Sequence, residues 1–235
     1  MYPPGKTDEH YTIPNTVTDI ADVHAFANSK YLNTITIPKS LQRISGYYSF
    51  SGSNLKKVIV EDIDTWLKVD VWGYDYGPLA VAKRLFSSDG KEITHLNIKS
   101  SSTLGSTSYI QGLISLSFTF DSEDYQVKGF DYCINLTNIY CYRTIPPGIS
   151  YNTFKGIDKW KCTLHVPVGS GNAYRGADVW NEFNIVEDLT TGIDDINKDN
   201  LTTDQQYFTI DGKQLTGKPT NSGIYIKNGK KYIVK

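Results

Sequence analysis

The chain has 235 residues, 24 Lys and Arg against 25 Asp and Glu, and a formal net charge of −1. That balance excludes a nucleic-acid footprint and a polybasic membrane patch, and no apolar run reaches the ~18 residues that a membrane-spanning helix needs. Hydrophobic residues make up 39%, and seventeen tyrosines stand against one methionine. This is the composition of a globular chain that leans towards strands, long enough for one large domain or two modest ones.

The first ten residues, "MYPPGKTDEH", lack the basic start and apolar centre of a secretory leader. They fit either an intracellular chain or one whose leader lies outside this sequence. Nothing before Tyr11 reads as an end cap. From Tyr11 and Ile13 onward a pattern sets in, apolar-x-x-apolar-x-apolar. It falls at Leu32, Ile35, Ile37, then at Leu55, Val58, Val60, at Ile93, Leu96, Ile98 and at Leu113, Leu116, Phe118. It returns at Leu136, Ile139, Cys141 and more weakly at Leu164 and Val166. Between middle positions the spacings are 23, 38, 20, 23 and 25 residues, with Tyr11 lying 24 before Ile35.

Within one unit, "TITIPKSLQRI" shows a strand that alternates, a proline that ends it, and two more apolar residues beyond the corner. One such unit cannot bury its apolar side, so stacking must make the core. Phe26, Phe50, Phe130 and Phe154 recur before successive strands and fill the convex side. The spacing lies in the leucine-rich repeat range of roughly 20–29 residues. The asparagine usual after the strand is replaced by Ser40, Ile63, Ser101, Asp121, Thr144 and Gly169, which marks an atypical form. The fold class expected is an α/β repeat, a right-handed solenoid with about seven short parallel strands.

The 38-residue gap holds an insertion near 62–92. "GPLAVAKRLF" predicts a short helix and "FSSDGKEI" an Asp-Gly turn between two strands. Trp66, Trp72, Tyr74 and Tyr76 gather aromatics there. The segment reads either as an elaboration packed on the convex side or as a binding loop.

"TIPNTVTDIADVHAFANSKYLNTITIPKSLQRI" and "VKGFDYCINLTNIYC" resemble the BspA-type leucine-rich repeat of bacterial surface proteins. "TLHVPVGSGNAYRGADVWNEFNIVED" resembles the closing repeat of such arrays, where a strand and a short helix near Asn172–Trp180 cover the end. The resemblance spans about residues 11–188, weakest over 99–127, and gives Cys133 a small corner position. It implies a secreted or cell-surface protein that attaches to host extracellular matrix proteins or to bacterial surface proteins.

The solenoid is expected over 1–190, a polar linker over 191–204 and a β-hairpin tail over 205–235. "YFTIDGKQL" and "GIYIKNGKKYIVK" turn at Asp211-Gly212 and Asn228-Gly229. Some thirty residues of strand cannot make a core alone, so the tail either docks on the solenoid or forms a reduced sandwich. It resembles the C-terminal segment of many secreted or surface proteins of the Bacteroidetes, which in longer form sorts or attaches them.

No catalytic residue, metal site or cofactor is expected. His95 and His165 face outward three rungs apart, about 14 Å at the usual strand spacing, too far to share a metal. Cys141 is a core position, and Cys162 is out of register and partly exposed. Cys162 and His165 point to opposite faces, which rules against a cysteine–histidine nucleophile. "FDSEDYQ" and "GIDDINKDN" are acidic loops without calcium-loop spacing. "NLT" at Asn135 and Asn200 matches a glycosylation acceptor.

The outward strand positions are Thr34, Thr36, Lys57, Ile59, His95, Asn97, Ser115, Ser117, Asn138, Tyr140, Thr163 and His165. A mostly uncharged sheet of this kind is either a recognition face or an ordinary solvated sheet. The candidate ligand-binding residues are Ile59, His95, Asn97, Tyr140, Tyr142 and His165, with Trp72, Tyr74 and Tyr76 of the insertion. A protein partner is the leading expectation. The alternative is a carbohydrate-binding accessory in which Trp72, Tyr74 and Tyr76 stack on sugar rings.

Overall fold

The structure is a computed structural model. It describes Tyr2, residues 5–72, 77–99, 107–119 and 126–190, and within the C-terminal part 207–209, 214–215, 219–220, 223–227 and 230–234. Contacts divide the chain into two units, Met1–Leu189 and Thr190–Lys235.

The first unit is a parallel β-solenoid. Its inner strands are β1 (His10–Thr12), β3 (Thr34–Ile37), β5 (Lys57–Val60), β7 (Leu85–Ser87), β8 (His95–Ile98), β9 (Ser115–Phe118), β11 (Asn138–Cys141), β13 (Thr163–Pro167) and β14 (Asn184–Leu189). They form two sheets, β1-β3-β5-β7 and β8-β9-β11-β13-β14. Corner strands run alongside: β2 (Asp19–Ile20), β4 (Arg43–Ile44) and β6 (Asp70–Val71) in one ladder, β10 (Gln126–Val127) and β12 (Gly148–Ile149) in another. All pairs in this unit's strand ladders are parallel.

Register follows from the repeat. Ile35 pairs with Val58, and Val58 with Leu85. Leu96 pairs with Leu116, Leu116 with Ile139, and Ile139 with Leu164. Each of these side chains is buried, in one continuous core cluster. The phenylalanines stack as expected on the far side: Phe26 on Phe50 at 5.0 Å, Phe130 on Phe154 at 5.9 Å.

The insertion behaves differently from either expectation. It is mostly another turn of the solenoid: β6 extends the corner ladder, and Leu85 adds a rung beside Val58. Trp66, Leu79 and Ala82 point into the core. The expected helix shrinks to α2 (Leu79–Ala82), ended by Lys83 at φ +61°. A preceding turn, α1 (Ile63–Trp66), is capped by Asp62, whose carboxylate accepts from the Thr65 amide at 2.8 Å. The Thr65 hydroxyl and amide hold that carboxyl below its ordinary range. The Asp89-Gly90 turn does form, with Gly90 at φ +82° and an antiparallel bridge from Phe86 to Glu92.

A second backbone ladder runs up a corner of the coil. His24, Tyr48, Lys83, Tyr109 and Tyr132 all have left-handed φ. The amides of His24, Tyr109 and Tyr132 donate to carbonyls one turn on, at Tyr47, Asp131 and Lys155. At the next step glycine is required: Gly156 has φ +82°, and a Cβ there would sit 2.9 Å from the Tyr132 ring.

Both ends of the coil are covered by aromatics. Tyr2, contrary to expectation, closes the first turn: it is buried, stacks on Phe26 at 5.7 Å and donates its amide to the Ala25 carbonyl. It stands 24 residues before Phe26, where the preceding phenylalanine would be. At the other end lie α3 (Gly171–Arg175) and a short 3₁₀ turn, Trp180–Glu182. Tyr174 donates its hydroxyl to the Arg143 carbonyl at 2.8 Å, and Trp180 donates its indole N–H to Pro147 at 2.9 Å. Phe118, Phe154 and Phe183 pack around Trp180.

The second unit is an antiparallel sheet, in order β16 (Gln214–Leu215), β15 (Tyr207–Thr209), β17 (Gly223–Lys227) and β18 (Lys230–Val234). The two turns named above, the linker and the cluster "GIDDINKDN" lie outside the described residues, as does most of "FDSEDYQ".

Leu136 is 3% exposed within this core. Its replacement by alanine is expected to cost about 2–5 kcal/mol in a urea melt; a loss below about half a kcal/mol would contradict the register.

Candidate functional site

Strand alternation sends every second side chain out of the solenoid, and parallel register lines those side chains up from rung to rung. The candidate residues therefore fall on the two hydrogen-bonded sheets and on a corner ladder. Ile59 lies on the first sheet between Thr36 and Phe86, half-buried. Phe86 occupies an outward position yet is buried. Lys57 Nζ lies 5.0 Å and the Arg84 guanidinium 5.2 Å from its ring centre. Arg84 is itself fixed by Glu92 through bonds of 2.6 and 2.8 Å, which hold that carboxyl below its usual range.

His95, Asn97, Tyr140 and His165 lie on the second sheet, with Tyr142 one residue past β11. His95 is hydrogen-bonded to Ser115 on the neighbouring rung. Asn97 Oδ1 accepts from the Thr119 hydroxyl at 3.0 Å. Tyr140 and His165 stack face to face, 4.4 Å apart and 11° from parallel. His165 is held on both nitrogens: Nδ1 lies 2.8 Å from Asp188 and Nε2 3.2 Å from Asn138 Oδ1. The Asn138 amide donates to the Thr137 hydroxyl at 3.0 Å, which turns its oxygen to the ring.

Trp72 sits on the corner ladder, away from both sheets, and is about half exposed (51%). Its indole N–H donates to Asp70 at 2.8 Å and the Arg43 guanidinium lies 5.8 Å from its ring. Arg43 in turn reaches Asp19. Tyr74 and Tyr76 lie outside the described residues.

Sequence reasoning missed three features. One is Asp188, the brace of His165, which stands on the unrecognised strand β14. Another is the Tyr109–Tyr132 stack at 4.9 Å, with Lys83 over Tyr109 and Lys155 over Tyr132. Its signal was the 23-residue spacing of the two tyrosines. The third is a cleft of about 420 Å³ at the first turn, lined by Tyr2, Ile13, Val17, Ile20 and Phe26 among others.

Cys162 is fully buried, not partly exposed, because the turn Asp158–Cys162 folds it under the entry to β13. Burial pushes the thiols of Cys133 and Cys162 up to about 12 and raises that of Cys141. All three are free. Among the described residues no group of three or more His, Cys, Asp or Glu could hold a metal. No helix among them is long and apolar enough to cross a membrane.

Parallel rungs of one short strand each, spaced by 20–27 residues over most of the coil, define a leucine-rich repeat solenoid. Residues 7–68 match the family described as BspA type leucine rich repeat region (6 copies). A solved structure of a leucine rich cell surface protein from Faecalibacterium prausnitzii A2-165 is also similar, at 16% identity and a TM-score of 0.29. The match covers 76% of this chain and 59% of that one. No curated protein matches the chain.

With the thiolate disfavoured at all three cysteines, the native protein is expected to resist a disulfide reagent at mildly alkaline pH. All three thiols should react once it is unfolded in strong denaturant. Rapid native reaction of even one would contradict their burial.

Proposed function

We infer that the chain is a non-enzymatic, secreted or cell-surface recognition protein that binds another protein through the outward faces of its sheets. Adhesion to a host extracellular matrix protein or to a bacterial surface protein is the role this reading assigns. What carries it is the geometry of the outward positions, which stand in register on successive rungs as an open surface.

A catalytic centre needs a nucleophile, a base and an orienting group in mutual reach. Here the reactive groups are kept apart: the cysteines are inside with protonated thiols, and the histidines are outside. A wet, extended face suits broad contact, with Ile59 and Trp72 as apolar anchors on separate surfaces. The repeat type, shared with surface proteins by resemblance, supports the location. In the alternative reading, a carbohydrate-binding accessory, Trp72 offers a ring about half exposed whose indole N–H is fixed by Asp70.

The test is capture of purified matrix proteins and bacterial surface proteins on the immobilised chain. At least one should bind, and Ile59→Asp or Trp72→Ala should weaken it about tenfold or more, as loss of an anchor does. Absence of any capture across the panel, or capture indifferent to both substitutions, would overturn the reading.

A further inference from the structure

The outward side chains of the second sheet change size sharply from rung to rung. Tyr140 has His165 on one side in the parallel ladder and Ser117 on the other. Beyond Ser117 comes Asn97 of β8. Two strand spacings, roughly 9.6 Å, therefore separate the rungs of Asn97 and Tyr140, with only a hydroxymethyl group between them. The Tyr140–His165 contact shows that one rung seats one stacked ring on this face, at 4.4 Å. The serine rung is a missing member of that stack.

The platform beside this gap is fixed before any ligand arrives. His165 is tied to Asp188 and to Asn138, and Tyr140 lies flat against it. On the opposite side His95 is bonded to Ser115, and Asn97 to Thr119. The hydroxyls of Ser117 and Tyr140 have no hydrogen-bond partner among the described residues, and both side chains are partly exposed.

We propose that the gap over Ser117, between Tyr140 and Asn97, binds a neutral sugar ring of a glycan. The six outward side chains of β8, β9 and β11 are His95, Asn97, Ser115, Ser117, Asn138 and Tyr140, with no carboxylate, lysine or arginine among them. A charged ligand finds no complement there. An aromatic side chain would fill the gap but leave the Ser117 and Tyr140 hydroxyls without partners, at a cost in desolvation. A pyranose offers an apolar C–H face to Tyr140 and a rim of hydroxyls that both donate and accept. Serine and asparagine side chains likewise do both. The rigid, amphipathic tyrosine loses little conformational freedom on stacking.

This site is separate from the Ile59 and Trp72 anchors of protein recognition, so either reading can fail alone. The probes are the methyl glycosides of glucose, galactose and mannose, with N-acetylglucosamine and its dimer, at millimolar concentration. Saturation-transfer NMR on the intact chain is expected to show contact with the ring protons of at least one of them. Tyr140→Ala should weaken that binding about tenfold or more. Ser117→Tyr should abolish it by filling the gap, with an unchanged melting temperature, because the position faces outward. The second variant keeps the test decisive if the first disturbs the sheet. No transfer to any probe, or transfer unaltered in a folded Ser117→Tyr variant, would overturn the proposal.

Discussion

Every feature of the solenoid depends on one constraint: a single turn has an apolar side that only another turn can cover. Leu32, Ile35 and Ile37 of one rung must meet Leu55, Val58 and Val60 of the next, and parallel hydrogen bonding is what holds them in line. The same demand extends to the convex side, where the phenylalanines stack, and to the corners, where left-handed residues repeat their bonds turn after turn. It also fixes what the ends require. Tyr2 repeats the phenylalanine position at one end, while Tyr174, Trp180 and Phe183 cover the other.

The outer surface inherits the same order without being apolar. Because register is set inside, equivalent outward positions stand side by side whether or not their side chains attract. That placement yields His95 against Ser115 and Tyr140 against His165. Chemistry is thus spread along lines instead of gathered at a point. Burial adds to the separation by keeping all three thiols protonated and away from the histidines.

Much of this was legible in the sequence, since leucine, isoleucine and valine at fixed offsets state the core directly. The seven strands that the spacing predicts all form, and the outward residues follow from alternation. Two further rungs escaped notice, one of them read only as an arm of the Asp-Gly hairpin. In β7 the third apolar position is Ser87, and Leu85 follows a left-handed lysine that ends a helix, so the pattern is broken although the rung is present. In β14 the inner positions carry Ile185 and Glu187, too polar to match. Asp188 was lost with that strand. Cys162 was misjudged because it stands one place off the leading position of the repeat, although alternation from Leu164 and Val166 points it inward.

The hairpin at Leu85–Ile93 interrupts the ladder. On its far side β7 meets not another parallel strand but its own return, with Ser87 bonded to Lys91 and Ile93 to Leu85. β8 starts a second sheet, and the backbone bond from Gln111 to Lys83 and the shared core bridge the gap. A repeat array behaves as a one-dimensional chain whose cooperativity is carried by coupling between neighbours. Here that coupling is unequal, strong within a block of four strands and a block of five, weaker at the seam. A front of unfolding travelling from either end loses its strand ladder at Ser87, where the shared core and the Gln111–Lys83 bond carry the coupling onward.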